Sequence, residues 1–290
     1  MRSLLFTPGD SDRKLAKGLT SDADVILIDL EDAVTAENKV SAREKTADFL
    51  RQDAARNAPM PLYVRINDLE TEWAEDDLAS VVPAKPAGIM LPKARSHDDV
   101  ARLAGMLDAL EQKAGVKPGF LSILVIAPEI PEAVLNMATF QNCDPRVAGI
   151  TWGSEDLATG LAAAGSRDQD GTYRSPIELA RSLCLTAGSA AGIHAIDTVY
   201  ADFRDLEGLK RDAERAAADG FSGKLAIHPD QVAVINAAFT PGEEEIAKAR
   251  RIVEAFDAQP GAGAINLDGA MVDMPHLQNA KKLLARAGLT

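Results

Sequence analysis

Short apolar runs alternate along the chain with longer segments of mixed polarity. The runs are continuously apolar, as in parallel strands that are buried on both faces. They predict eight strands, at Ser3–Phe6, Val25–Asp29, Leu62–Asn67, Gly88–Leu91, Leu121–Ile126, Val147–Trp152, His194–Val199 and Lys224–Ile227. The segments between them carry the pattern of amphipathic helices. They predict eight helices, at Asp12–Gly18, Asn38–Leu50, Ala74–Val82, His97–Lys113, Ala133–Phe140, Ser175–Ala191, Leu206–Asp219 and Asp230–Phe239.

Eight strands that alternate with helices favour a (β/α)8 TIM barrel, for which about 250 residues is typical. The rival architecture, a doubly wound open sheet, normally has a glycine-rich fingerprint after its first strand. This chain has only Gly9 at that point. We therefore predict an α/β fold with TIM-barrel architecture.

The region after the barrel has a different pattern. Glu243–Phe256 predicts one more amphipathic helix, and residues 257–264 have the glycine- and proline-containing composition of a flexible hinge. A basic helix at His276–Ala287 follows near the end of the sequence. We divide the chain into residues 1–258, a barrel with an additional C-terminal helix, and residues 259–290, a hinge followed by a C-terminal extension.

Composition and charge narrow the classes of function. Hydrophobic residues make up 46% and charged residues 26%, as in soluble globular proteins. The net charge of −13 repels nucleic acid and anionic membranes, so neither is expected as a partner. Two cysteines far apart in sequence exclude a disulfide framework and a cysteine zinc site. The N-terminal apolar stretch is too short for a signal peptide, and we expect a cytoplasmic protein.

Polar side chains cluster where the predicted strands end, the face that carries the chemistry of TIM-barrel enzymes. They are carboxylates, two cations and a histidine: Asp29, Glu31, Asp32, Arg65, Lys93, Glu129, Glu155, Asp156, Asp197 and His228. Grouped carboxylates repel each other unless a cation lies among them, and oxygen ligands favour Mg²⁺. Arg65 could hold a substrate carboxylate by a two-pronged contact. Each carboxylate taken singly is also explained by helix capping, and for Glu31 and Asp32 this structural role stands beside metal contact.

Several segments in this order and spacing carry a family resemblance. They are RSLLFTPGD, DVILIDLEDAV, YVRIN, IMLPKA, ITWGSEDL, AIDTVYADFRDLEGL, FSGKLAIHPDQ and DGAMVDMP. On them the chain resembles the citrate lyase beta-subunit-like family, with its malyl-CoA and citramalyl-CoA lyases, within the HpcH/HpaI aldolase/citrate lyase superfamily. The resemblance implies a barrel of the phosphoenolpyruvate/pyruvate-binding type, a Mg²⁺ cofactor, and a homotrimer or hexamer.

The resemblance also implies roles for particular residues. Glu129 and Asp156 match the metal ligands, and Arg65 matches the residue that contacts the substrate. Apart from the resemblance, Glu31, Asp32 and Glu155 are candidates for residues that border the metal site, by their position at the predicted strand ends. The loop Thr7-Pro8-Gly9 lies where relatives approach coenzyme A, with Arg13 and Lys14 near its phosphates. This chain departs from the family's Glu-Thr-Ala-x-Gly motif, because it has Glu129-Ile130-Pro131-Glu132-Ala133.

The C-terminal extension resembles the lid of family members that act on free CoA thioesters. The matching segment is Asp268–Pro275, and its Asp273 corresponds to an aspartate that a neighbouring subunit's lid contributes for proton transfer at the thioester α-carbon. The resemblance thus implies a lid exchanged between subunits. The alternative is that Asp273 only begins a helix before Pro275.

We therefore expect a Mg²⁺-dependent carbon–carbon lyase that cleaves a 3-hydroxyacyl-CoA thioester, of the citramalyl-CoA or malyl-CoA type, to acetyl-CoA and a 2-oxo acid. Thioesterase activity or the reverse condensation could accompany it. The alternatives are a citrate lyase beta subunit that acts on an acyl-carrier-protein thioester within a complex, a class II aldolase without CoA, and a non-catalytic ligand-binding subunit.

Overall fold

The computed structural model describes residues 1–289 and contains a closed barrel of eight parallel strands, which confirms the predicted fold. Neighbouring strands follow one another in sequence, and β1 closes the barrel by pairing with β8. The strands are β1 (Ser3–Pro8), β2 (Val25–Asp29), β3 (Leu62–Arg65), β4 (Gly88–Leu91), β5 (Ser122–Ile126), β6 (Val147–Thr151), β7 (His194–Asp197) and β8 (Gly223–Ala226). Their ends differ from the predicted ones by at most two residues.

Helices alternate with these strands. They are α1 (Asp12–Gly18), α2 (Lys39–Arg51), α3 (Asp53–Arg56), α4 (Ala74–Val81), α5 (His97–Lys113), α6 (Pro131–Asn136), α7 (Ser154–Gly160), α8 (Ser175–Ala191), α9 (Leu206–Asp219) and α10 (Pro229–Phe239). The predicted helix Ala133–Phe140 begins two residues earlier, because Pro131 fits the first turn of a helix, and continues as a 3₁₀ helix over Met137–Asn142. The prediction missed α3 and α7, which have four and seven residues. None of the helices within residues 1–289 is long and apolar enough to span a membrane.

The barrel interior is filled by apolar side chains from its strands. They include Leu4, Val25, Leu27, Tyr63, Met90, Leu124, Ile126, Ile196 and Leu225. Since side chains alternate between the two faces of a strand, the neighbours of these residues point outward to the helices. The strand register also places the last residues of adjacent strands side by side: Asp29 of β2 is paired with Arg65 of β3.

Residues 237–290 form a second compact unit, described to residue 289. It contains α11 (Glu243–Asp257), the antiparallel hairpin of β9 (Ala264–Leu267) and β10 (Ala270–Asp273), and α12 (Met274–Arg286). The boundary at residue 258 expected from the sequence lies after α11. In the structure α11 shares a hydrophobic core with the hairpin and α12, through Ile252, Phe256, Ile265 and Leu277, so the unit begins before that helix. The hairpin was not predicted.

Candidate active site

The carboxyl ends of the barrel strands surround a cavity of about 380 Å³. Asp29 and Arg65 end β2 and β3, whereas Glu129 follows β5 and Asp156 lies in the first turn of α7 after β6. All four line the cavity, with apolar residues that include Phe6, Ile126, Trp152, Val199, Leu225 and Ile227. We call the charged residues at this end of the barrel the mouth cluster: Asp29, Glu31, Asp32, Arg65, Lys93, Glu129 and Asp156.

Arg65 is fixed within the mouth cluster by a two-pronged ion pair with Asp29. Its Nε and Nη2 each donate a hydrogen bond of 2.7 Å to a different oxygen of that carboxylate. Burial alone would raise the pKa of Asp29, but the charge and hydrogen bonds of Arg65 outweigh it and hold the pKa below its ordinary value. The guanidinium lies 4.6 Å from the centre of the Phe6 ring. The remaining nitrogen, Nη1, lies 2.8 Å from Glu31 Oε2.

The loop after β2 is shaped by hydrogen bonds to its backbone. Asp29 accepts from the amides of Glu31 and Ala33 at 2.9 and 3.0 Å. The buried Lys39 ammonium donates to the carbonyls of Leu30 and Glu31 at 2.8 and 2.7 Å. Glu31 and Asp32 are thereby held beside Arg65, as residues that border the candidate metal site.

Lys93 is the second cation of the mouth cluster. Its ammonium donates to Glu31 Oε1 and lies 3.8 Å from the carboxylates of Asp32 and Asp156. Its backbone has a φ of 51°, a left-handed conformation that costs a non-glycine residue about 1–2 kcal/mol. That conformation allows the Lys93 amide to donate to Glu129 Oε1 while the side chain reaches Glu31. The sequence placed Lys93 at the mouth but assigned it no role in the site.

Glu129 is buried, with only 2% of its surface exposed. Burial raises the pKa of its carboxyl to about 8, and the charges of Glu31 and Asp156 act in the same direction. Burial also raises the pKa of Glu31 to about 7, although Arg65 and Lys93 oppose it. Carboxylates in this state are short of positive charge, and a divalent cation would supply it.

The donor set suits a hard cation such as Mg²⁺. Glu129 and Asp156 offer carboxylate oxygens, and Mg²⁺ is usually bound by one or two carboxylates together with water and substrate oxygens. Within residues 1–289 no group of three or more His, Cys, Asp or Glu side chains has the arrangement of a metal site. With two carboxylate ligands from the protein, a Mg²⁺ ion here would keep positions for water and substrate oxygens.

Two contacts around Asp156 show how closely the site is built. Gly153 packs against Glu129, because a Cβ at Gly153 would lie 2.8 Å from both Cβ and Oε2 of that residue. Glu155 also lines the cavity, and its Oε1 accepts hydrogen bonds from Ser154 Oγ at 3.1 Å and Ser166 Oγ at 2.6 Å. Glu155 thus anchors the start of α7, while Asp156 stays partly exposed.

A second cavity of about 440 Å³ adjoins the first and shares Phe6, Pro8 and Ile227 with it. Thr7, Pro8, Arg13 and Lys14, which the sequence associated with coenzyme A, line this second cavity together with Lys17 and His228. Gly9 has a different position. Gly9 packs against α2, where a Cβ would lie only 2.6 Å from Thr46 Oγ1. The close packing of the loop therefore requires glycine at this position.

Residues 2–229 match the HpcH/HpaI aldolase/citrate lyase family. The chain belongs to this family. The match spans all eight barrel strands and every residue of the mouth cluster. It confirms the resemblance read from the sequence segments.

Individual family members align with nearly the whole chain. The citrate lyase subunit beta of Escherichia coli (strain K12) is 33% identical over 291 residues, which cover 100% of this chain and 94% of that protein. A (3S)-malyl-CoA thioesterase of Cereibacter sphaeroides (strain KD131) is 34% identical over 288 residues, 99% of this chain and 94% of that protein. The crystal structure of CitE from Mycobacterium tuberculosis with magnesium, acetoacetate and coenzyme A has a TM-score of 0.81 and 34% identity, and covers 99% of this chain and 98% of that one. The family is one of lyase-type enzymes, some of whose members are named thioesterases.

Asp273, the acid–base candidate suggested by the family lid, lies in the second unit. It ends β10 and caps α12, where its carboxylate contacts His276 Nδ1. The hydrogen bond from His276 lowers the pKa of Asp273. Its role in proton transfer stays a prediction.

One mouth residue expected from the sequence is elsewhere. Asp197 is buried outside the cavity, where its carboxylate lies 2.8 Å from the Lys224 ammonium. The expectation was wrong because Ile196, the preceding residue of β7, points into the barrel and turns Asp197 outward. Alternation along His194–Asp197 was the signal that could have shown this.

Proposed function

We propose that the chain is a Mg²⁺-dependent carbon–carbon lyase that cleaves a 3-hydroxyacyl-CoA thioester, of the citramalyl-CoA or malyl-CoA type, to acetyl-CoA and a 2-oxo acid. The observation that carries the proposal is the pair Glu129 and Asp156 beside Arg65 in one cavity, with a second, cation-lined cavity adjoining it. The magnesium, acetoacetate and coenzyme A bound by the M. tuberculosis protein support the same assignment.

Glu129 and Asp156 would hold the magnesium ion. When bound there, Mg²⁺ supplies Lewis acidity that lowers the pKa of the substrate hydroxyl. Arg65, which lines the cavity, would neutralise negative charge that develops on the oxo-acid fragment. Phe6, Trp152 and Leu225 line the cavity with apolar surface, and exclusion of water there by a bound substrate would strengthen these electrostatic interactions.

The cleavage balances with one proton lost and one gained. The substrate hydroxyl would give up its proton to solvent and become the carbonyl of the 2-oxo acid, while the electron pair of the breaking carbon–carbon bond passes to the thioester α-carbon. The resulting enolate takes a proton from the Asp273 carboxyl and becomes acetyl-CoA. In the reverse condensation the Asp273 carboxylate removes that proton.

The second cavity would bind the coenzyme A portion. Arg13, Lys14 and Lys17 on α1 supply positive charge at its edge, which suits the phosphates of coenzyme A. The thioester would then pass between the two cavities beside Phe6, Pro8 and Ile227, the residues they share.

The decisive experiment supplies the isolated protein with Mg²⁺ and citramalyl-CoA, malyl-CoA or citrate, and measures acetyl-CoA. Turnover of a CoA thioester supports the proposal. Activity only after addition of an acyl carrier protein and partner subunits would instead identify a citrate lyase beta subunit. Absence of both turnover and Mg²⁺ binding would favour a non-catalytic ligand-binding subunit.

A thioesterase is the second candidate, favoured by the similarity to the Cereibacter (3S)-malyl-CoA thioesterase. Hydrolysis of malyl-CoA releases malate and free CoA, whereas lyase cleavage releases acetyl-CoA and a 2-oxo acid. A thiol reagent detects free CoA, and chromatography separates it from acetyl-CoA. The ratio of the two products therefore decides between the activities.

The role of Asp273 has its own test. We expect Asp273→Ala to leave Mg²⁺ binding unchanged and to slow exchange of the acetyl-CoA α-protons at least about 100-fold, the usual contribution of a positioned acid–base group. Asp268→Asn, in the exposed turn of the same hairpin, is the matched control and keeps normal exchange. Unchanged exchange in Asp273→Ala would remove this residue from the mechanism.

The proposed homotrimer or hexamer would bring Asp273 to a neighbouring subunit's barrel. Asp156→Ala and Asp273→Ala chains, each inactive alone, would then complement each other after mixed refolding. If each site takes these residues from two chains, an equal mixture restores about a quarter of the sites. A mixture as inactive as its parents would exclude the exchanged lid.

A further inference from the structure

A second group of buried charges lies on the outer side of β7 and β8, against α8 and α9. Its members are Asp197, Lys224, Arg181, Asp212 and Arg167, and we call them the rear network. Lys224 is fully buried, and its ammonium lies 2.8 Å from a carboxylate oxygen of Asp197 and 2.8 Å from one of Asp212. Each buried charge therefore has an opposite charge in direct contact.

One carboxylate joins the rear network to the mouth of the barrel. Asp197 uses Oδ2 for Lys224, and its Oδ1 accepts a hydrogen bond of 2.9 Å from the indole Nε1 of Trp152 and one of 3.3 Å from Arg181. Trp152 is buried, lines the mouth cavity, and directly precedes Gly153. Residues 152–156, which carry Asp156, thus begin at Trp152, whose indole N–H is bound by Asp197 on the outer side of the barrel.

The ring of Trp152 is held as well as its N–H. Tyr173 packs against it edge-on, with ring centres 5.2 Å apart. The Arg167 guanidinium lies 3.7 Å from the centre of the Tyr173 ring and donates to Asp212 at 2.8 Å. The Trp152 ring therefore contacts the rear network through Tyr173 and Arg167, and the Trp152 N–H contacts it through Asp197.

We propose that Asp197 is a positioning residue, which fixes Trp152 and thereby the placement of Asp156 relative to Glu129. The proposal rests on the magnesium site of the proposed function. Its physical basis is the charge-assisted hydrogen bond to the indole, about twice as strong as a neutral one. The effect reaches both carboxylates, since Gly153, the next residue, is in close contact with Glu129.

Two substitutions remove the hydrogen bond in different ways. In Asp197→Asn the side chain has one acceptor oxygen for Lys224 and Trp152, which approach opposite oxygens of the carboxylate. Its oxygen will face the ammonium, and its amide will face the indole N–H without accepting from it. Trp152→Phe keeps an aromatic ring and every charge but lacks the donor. Because it leaves the charges intact, Trp152→Phe carries the test if Asp197→Asn does not fold.

Magnesium affinity is the first measurement. Calorimetric titration with Mg²⁺ in the presence of oxalate should show a Kd about tenfold higher in either variant, as for other residues that orient metal ligands. The double variant should be less than about twofold weaker than Trp152→Phe, because both changes break the same contact. The matched control is Asp219→Asn, which loses an ion pair with Arg181 in contact with the same network and should keep the wild-type Kd.

Tryptophan emission supplies a readout that needs no metal. The chain has two tryptophans, so Trp73→Phe leaves Trp152 as the single reporter. In that background Asp197→Asn should shift the emission to longer wavelength and increase quenching by acrylamide, and Asp219→Asn should not.

The outcomes separate the two proposals. If the wild-type protein binds no Mg²⁺, the proposed function fails, and the emission of Asp197→Asn alone decides whether Asp197 fixes the indole. If the wild type binds Mg²⁺ but folded Asp197→Asn and Trp152→Phe bind it equally well, the positioning role is overturned. Multiplying effects in the double variant would overturn it too.

Discussion

The mouth cluster and the rear network are both groups of charged residues at the ends or on the outer side of barrel strands, and they differ in the balance of carboxylates and cations. The mouth cluster joins five carboxylates to two cations, Arg65 and Lys93. In the rear network, Asp197 and Asp212 face three cations, Lys224, Arg181 and Arg167. Asp29, Glu31, Arg65 and Glu129 are as buried as Asp197, Lys224 and Arg181, whereas Asp32 and Asp156 are partly exposed. Among the buried members the two regions differ in charge compensation.

Compensation decides what the charges can do. In the mouth cluster burial and like charges raise the pKa of Glu129 to about 8. In the rear network burial opposes ionisation of Asp212, but Lys224 and Arg167 hold its pKa below the ordinary value. Buried carboxylates without matching cations mark a place for a ligand, whereas matched ones hold the fold.

Asp156→Ala should give the largest effect, since it removes one of the two carboxylates that would hold the metal. We expect kcat/KM for the CoA thioester to fall at least about 1,000-fold and calorimetry to detect no Mg²⁺ uptake. Asp48→Ala, which removes an exposed carboxylate on α2, is the control and keeps wild-type kinetics. A variant that still binds Mg²⁺ with wild-type affinity would show that the mouth cluster does not depend on Asp156.

Lys224→Met should have the largest effect on stability. It leaves Asp197 and Asp212 buried without their shared cation, which typically costs about 3–5 kcal/mol of unfolding free energy. Urea unfolding measures it. Arg215→Met is the matched control, because Arg215 forms ion pairs at the exposed edge of α9 and should cost less than about 1 kcal/mol. Equal losses in both variants would contradict the structural role of the rear network.

Glu129→Gln tests charge compensation in the mouth cluster, as Lys224→Met tests it in the rear network. Gln keeps the acceptor for the Lys93 amide but cannot ionise. The wild-type carboxyl, whose pKa burial raises to about 8, must instead take up a proton on folding at pH 7, which costs free energy. We expect the metal-free variant to be about 1–3 kcal/mol more stable than the wild type at pH 7, and to bind no Mg²⁺. Urea unfolding with a chelator present, followed by calorimetry, measures both. A loss of stability would mean that Glu129 is compensated as fully as Asp197.

Much of this arrangement was predictable from the sequence. Continuous apolar runs gave the strand order, and polar residues that follow them, such as Asp29 and Glu129, indicated the mouth. The pattern could not show which charged side chains form ion pairs with one another. Arg65 was expected to face a substrate carboxylate, but most of its fork is taken by Asp29, a contact set by strand register rather than by sequence distance.

Local backbone geometry accounts for other differences. Lys93 joins the mouth cluster through a left-handed backbone that its residue type does not predict. The hairpin of β9 and β10 did have a signal, since Asp268-Gly269 between two apolar stretches is a favoured two-residue turn, and both residues have positive φ values of 55° and 84°. Residues 257–264, directly before the hairpin, have the composition of a flexible hinge, and for this reason no strand pair was predicted after them.

The smallest expected effect is the loss, at acid pH, of the stability that Asp212 contributes. Since the folded pKa of Asp212 lies below its unfolded value, its stabilisation is complete above about pH 4 and is lost as the pH falls through the folded pKa. Asp212→Asn removes that contribution, so we expect it to be about 1–3 kcal/mol less stable than the wild type at pH 7, the usual cost of weakening a buried hydrogen bond to a charged group, with the gap shrinking as the pH falls below about 4. Urea midpoints across this range measure the gap, and Asp219→Asn, whose carboxylate lies at the exposed edge, should show little of it. A gap that stayed constant would mean that Asp212 acts through packing, and the compensation that separates the rear network from the mouth cluster would not be electrostatic there.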